Sequence, residues 1–239
     1  MEKLQNDLSV VERTADVLQS SATRRKFLRN AGLTTAAGVA ILAVGCKKNE
    51  SVAPAAGTVD LGSGDVGILN YAYALEQLEA AFYVQAVSTP YTGMSAAELS
   101  ILTDIRDHEV IHREFFKAAL GMNAIQGLDV DFSKIDFTSR ASVLGTAKVF
   151  EDTGVAAYNG AGKLIKDPGY LLLAGKIVSV EARHASTIRD LLQPLSTSFA
   201  GDDIIDNNGL DGAKMPSEIL AAVQPFVKTK LSGANLPTA

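Results

Sequence analysis

Glu109-Val110-Ile111-His112 and Glu181-Ala182-Arg183-His184 are two copies of one pattern, Glu-x-x-His, and they carry two of the three histidines in the chain. Residues three apart on a helix share a face, so each copy presents a carboxylate and an imidazole together. Ahead of each copy stands a glutamate with a tyrosine seven residues later: Glu76 with Tyr83, and Glu151 with Tyr158. The order Glu, ExxH, Glu, ExxH repeats at intervals of 75 residues (76 to 151) and 72 residues (109 to 181). That is the set with which a four-helix bundle holds two metal ions: one Glu from each of two helices and an i, i+3 Glu/His pair from each of the others. With eleven glutamates in 239 residues, a given histidine has a Glu at i−3 by chance about 5 % of the time. Two such pairs in matching places of a repeat are a coincidence on the order of 1 %.

The donor set bears on the metal. Four carboxylates balance the charge of two divalent cations in a core where an uncompensated charge would be very costly. Mostly oxygen ligation with two imidazoles suits iron or manganese better than zinc or copper(I). The expected cofactor is therefore two Fe ions, with Mn or a mixed Fe/Mn pair as variants. By symmetry Glu109 and Glu181 bridge, Glu76 and Glu151 are terminal, and His112 and His184 each hold one metal. Glu79 competes with Glu76, but the repeat aligns Leu75-Glu76 with Phe150-Glu151 and sets Glu79 against Gly154. Tyr83 and Tyr158 are read as hydrogen-bond donors to ligand carboxylates, or electron donors, or as packed core aromatics. His108, a quarter-turn from Glu109, is expected to point away from the site. Arg183 pairs with an acid near the site or faces solvent.

The N-terminus reads as an address. Thr23-Arg24-Arg25-Lys26-Phe27-Leu28-Arg29 resembles a twin-arginine export signal, with Arg24 and Arg25 as the arginine pair. The small-residue apolar stretch from Ala31 to Gly45 has the length of a signal core and is too short to span a membrane. It ends Ala43-Val44-Gly45-Cys46, which looks like a lipoprotein cleavage and acylation site at Cys46. Residues 1–45 are then a signal peptide, and the mature protein is exported, periplasmic and lipid-anchored to a membrane in the cell envelope. Cys46 is the only cysteine, so no intrachain disulfide can form. The net charge of −5 leaves no basic footprint for nucleic acid.

Residues 46–64 are small, polar and punctuated by Pro and Gly: a tether. Residues 65–194 carry four helical segments, about 65–87 with Asp65 as N-cap, 95–120 opened by a Ser95/Glu98 capping box, 139–165, and 168–192 with Pro168 in the first turn. A long connection without helical period separates the second from the third. Residues 195–239 form a C-terminal extension with one short helix from Pro216 to about Val227. The fold class is all-α, a four-helix bundle with a long connection between the second and third helices, plus that extension.

At Asp65-Val66-Gly67-Ile68-Leu69-Asn70, Leu75 to Tyr83, Phe150 to Tyr158 and Val180 to His184 the chain resembles the bacterial ferritin-like domain family. That family includes exported twin-arginine proteins and desiccation-related proteins. The resemblance covers about Asp65 to Leu192. It implies a di-iron carboxylate protein that reacts with molecular oxygen or peroxide, in iron oxidation or oxidant scavenging. The alternatives on the same fold are a non-catalytic stress- or desiccation-related binding protein and a di-manganese catalase. No flavin, haem or Cys₄ element is visible, so electrons come from a separate donor. A homodimer is compatible with the sequence.

Overall fold

The structure is a computed structural model that describes residues 57–238. The arginine pair Arg24 and Arg25, the apolar segment 31–45, Cys46 and most of the tether lie outside the described residues. Helix α1, Gly64–Ser88, has no polar stripe, and seventeen of its 25 residues are buried. A helix apolar all round must be covered all round, and the remaining elements do this. Helix α2 (Ala96–Leu120) folds back along α1, and α3 (Arg140–Gly162) pairs likewise with α4 (Pro168–Leu192). α1 also packs on α3, whereas α2 and α4 meet along a looser seam.

Helix ends follow local chemistry. The Ser95 hydroxyl accepts from the Glu98 N–H and the Glu98 carboxylate accepts from the Ser95 N–H, completing the capping box. Asp167 caps α4, accepting from the amides of Gly169 and Tyr170, with Pro168 in the first turn. Asp65 is not the N-cap of α1; Ser63 holds that position. The Asp65 carboxylate instead accepts from the amides of Lys166 and Asp167, both at 2.8 Å, pinning the α3–α4 turn to the start of α1. α3 stops at Gly162 rather than 165, because the amides of Leu164 and Ile165 turn back to carbonyls three residues away.

The connection 121–139 lacks a regular helix beyond the 3₁₀ turn Gly121–Asn123, yet two buried amides of α1 hold it. Asn70 donates to the Leu61 and Asn123 carbonyls and accepts from the Ile125 amide. Gln77 accepts from the Leu128 amide. Phe132 and Phe137 then close on Phe82, with ring centroids 6.0 and 5.8 Å away, and Phe150 packs edge-on to both Phe82 and Phe226.

Both ends of the described chain join this cover. The end of the segment read as tether is structured: Thr58–Asp60 forms strand β1, parallel to β2 (Lys230–Ser232), with Leu61 fully buried behind it. The extension holds helix α5, Pro216–Val223, which passes into a 3₁₀ turn before Val227. Val227 then pairs antiparallel with Val130 of the long connection. Arg189, 1 % exposed, clamps the start of the extension through Asp152, Asp203 and the Ser198 carbonyl.

One contact tests this docking. A Cβ on Gly160 would lie 1.8 Å from the Lys214 carbonyl oxygen, where the Lys214 amide bonds to the Ala156 carbonyl. Gly160→Ala should therefore displace the extension and lower stability by about 1–3 kcal/mol. Urea unfolding with limited proteolysis around residues 206–216 reads this; an unchanged midpoint and cleavage pattern would refute the contact.

Candidate metal centre

Each of the four long helices delivers its share of the set. α1 brings Glu76, α2 Glu109 and His112, α3 Glu151, and α4 Glu181 and His184. The four carboxylates are fully buried and the imidazoles nearly so. His112 Nδ1 lies 2.9 Å from Glu181 Oε1, 3.4 Å from Glu76 Oε2 and 3.8 Å from Glu109 Oε2. His184 Nδ1 lies 2.8 Å from Glu109 Oε1, 3.5 Å from Glu151 Oε2 and 3.9 Å from Glu181 Oε2. The six residues form two groups, Glu76/Glu109/His112/Glu181 and Glu109/Glu151/Glu181/His184, each able to hold a cation. Glu109 and Glu181 belong to both, one oxygen turned to each imidazole, while Glu76 and Glu151 belong to one.

The tyrosines cross the repeat. Tyr83 on α1 donates to Glu151 Oε1 on α3 at 2.5 Å, and Tyr158 on α3 donates to Glu76 Oε1 on α1. Each phenol therefore holds the outer oxygen of the opposite helix's glutamate and leaves the inner one free. Both hydroxyls are kept protonated: burial first, then the neighbouring carboxylates, push their ionisation well above the usual tyrosine value.

A family model for the ferritin-like domain matches residues 64–194, more than half of the 239-residue chain. The chain belongs to the ferritin-like domain family. No curated protein matches it. The ferritin-like match begins with the first residue of α1 and ends two residues beyond α4, so β1 and the extension lie outside it.

Two groups near this ferritin-like centre were not placed by the sequence. His108, expected to point away, lies with Nδ1 2.9 Å from Nε2 of His184, the two rings 9° from parallel. His108, on α2, thus meets His184 of the facing helix α4. Burial, then His184 and His112, holds His108 below the usual histidine range, so it is neutral and can accept a hydrogen bond. Its signal in the sequence is its place immediately before the Glu of an ExxH. Glu79 is buried but joins neither group. It faces Gly154, whose added Cβ would lie 3.1 Å from Glu79 Oε1. Burial, then Glu109 and Glu181, lifts its ionisation well above the carboxylate range. Arg183 is exposed and donates to the Ser179 carbonyl and hydroxyl on its own helix.

The electrostatics of the buried set fit a cation. Six carboxylate oxygens (one each from Glu76 and Glu151, both from Glu109 and Glu181) and the two inner imidazole nitrogens make no hydrogen bond to any group outside the set. As bare acceptors they repel one another, so either protons or cations must lie among them. Without cations the protons do so. Burial opposes charge on the imidazoles, but the carboxylates outweigh it. Glu109, Glu181 and Glu76 push His112 up to about 12, and Glu109 and Glu151 push His184 up to about 10. Burial would raise Glu109, but the two imidazolium groups bring it down to about 2. Burial lifts Glu76 to about 7, and it also raises Glu151 and Glu181.

The sign of the pH dependence follows. The imidazoles of His112 and His184 keep their extra protons at neutral pH, and a cation must displace them. Cation affinity should therefore rise with pH from 5.5 to 8, with release of at least these two protons per chain at pH 7. Calorimetry in buffers of different ionisation heat measures this directly; binding heats independent of buffer would contradict the protonated core.

Proposed function

We propose that this bundle is a di-metal carboxylate protein, with iron the favoured metal, and that it reacts with oxygen or peroxide. The carrying observation is the eight inward-facing atoms, buried, without a hydrogen-bond partner outside the set, and arranged in two groups that share Glu109 and Glu181. Four carboxylates match two divalent charges, and an oxygen-rich set with one imidazole per group suits iron or manganese. Bound redox-active cations would supply the electrons for reduction of the oxidant. The protein residues bind and orient: Glu109 and Glu181 link the two positions, Glu76 and Glu151 close them, and His112 and His184 take one each. Tyr83 and Tyr158 hold the terminal carboxylates in rotamers that keep one oxygen inward. With Cys46 the only cysteine, a thiolate cluster cannot be assembled within one chain, and reducing equivalents come from a separate donor.

The location is part of the same proposal. The Arg24-Arg25 signal and Cys46 support export of the folded chain and lipid anchoring in the envelope. Twin-arginine export carries folded proteins, so the site would be filled in the cytoplasm, away from copper and zinc that outcompete iron for such ligands. Among the described residues no helix is long and apolar enough to cross a membrane, and the anchor would rest on the acylated cysteine.

Two measurements test this reading. Mass spectrometry of the full chain, produced with iron and manganese in excess, should find two such ions, falling to one or none in a Glu151→Ala, His184→Ala double variant. Peroxide consumption should fall in that variant to the level of the metal-free protein. A folded wild-type chain that takes up neither metal refutes the di-metal reading, and equal peroxide turnover with and without metal refutes the catalytic one. For the anchor, Cys46→Ser should abolish fatty-acid labelling and move the protein from the membrane to the soluble fraction; a labelled, membrane-bound variant refutes it.

A further inference from the structure

The repeat makes the two halves of the centre alike in their ligands, but not around them. The inner nitrogen of His184 faces Glu109 and Glu151, and its outer nitrogen, Nε2, lies 2.9 Å from Nδ1 of His108. A neutral imidazole that offers one nitrogen to a cation carries its proton on the other, and the hydrogen bond made there sets the tautomer and the ring orientation. His108 Nδ1 is placed to accept that proton. With the ring planes 9° apart and the centroids 5.2 Å apart, it also limits rotation of His184 about its own axis.

His112 has no such support. Among the described residues no side chain hydrogen-bonds its outer nitrogen. The residue that the 72-residue repeat puts in the place of His108 is Val180, just before Glu181 as His108 is just before Glu109. A valine can accept nothing. The two imidazoles, equivalent by motif, are thus inequivalent in the one feature that holds a ligating histidine in its productive tautomer.

We infer that His108 is a positioning residue that makes the His184 half of the centre the tighter cation site, so that the two positions fill in order, His184 first and His112 second. The inference rests on the di-metal reading above and deepens it. Partners of this kind change metal affinity by about 10–100-fold, which sets the size of the expected effect. His108 is exposed, so replacing it opens no cavity in the core.

The test is an anaerobic titration of the metal-free full chain with Co(II) alone, followed by the visible bands of the bound ion. Wild type should show two steps of unequal affinity. His108→Phe should weaken the first step by about 10–100-fold, so that the steps merge, and should shift the bands of the first ion while leaving helix content and thermal midpoint unchanged. His108→Gln, whose side-chain oxygen can still accept from His184 Nε2, should restore the two steps. A His108→Phe titration identical to wild type overturns the inference and leaves the di-metal reading standing. Equal weakening of both steps, without rescue by Gln, also overturns it, since that marks a general structural effect. A wild-type chain that binds no Co(II) overturns both the inference and the reading beneath it.

Discussion

Five glutamates and two histidines crowd the buried middle of the bundle, and that crowding constrains the rest of the molecule. Carboxylates so placed cannot all carry their charge: each must be neutralised by a proton, an imidazolium or a cation. Without cations, the carboxylates hold extra protons on His112 and His184, and burial raises the ionisation of Glu76, Glu151 and Glu181. Such a core is stable only if surrounding groups keep the acceptors aimed inward and the water out. The two tyrosines do the first, each across the repeat.

The second task falls to segments that carry none of these glutamates and histidines. α1 holds Glu76 at its centre because it is apolar on every side, and it needs more cover than three neighbouring helices provide. The long connection supplies it, held by Asn70 and Gln77 through backbone bonds rather than by a helix of its own. The extension braces that connection at Val130 and closes on the other end of the described residues at Thr58–Asp60. The extension and β1, outside the ferritin-like match, therefore help seal the hydrophobic shell in which the buried charges have their effect.

The pseudo-repeat is informative where it fails. Aligned positions on α1 and α3 face each other, and at one of them Glu79 meets Gly154. Two large side chains would collide there; one glutamate and no side chain fit. On the outer helices the failure is His108 against Val180. The repeated Glu and His positions give two similar groups, and these two departures make their surroundings chemically different.

The four long helices, the capping box at Ser95, the Pro168 start and the helical faces that carry Glu76, Glu109, His112, Glu151, Glu181 and His184 were legible in the sequence, because helical spacing, end chemistry and repeated motifs are local properties. The preference of Glu76 over Glu79 was legible too, from alignment within the chain. What local spacing could not show is how far one helix stands from the next. A helical wheel assigns a direction to His108 but not its meeting with His184 of the facing helix. It places Tyr83 on the row of Glu76, yet the partner is Glu151, across the bundle. Nor does the composition of 46–64 reveal that its end pairs with a strand about 170 residues later. Which residues share a helical face, and which carboxylates and imidazoles fall on it, can be read from spacing along the chain. Which oxygen meets which nitrogen cannot, because those distances depend on packing between helices and on cover from segments with no periodicity to read.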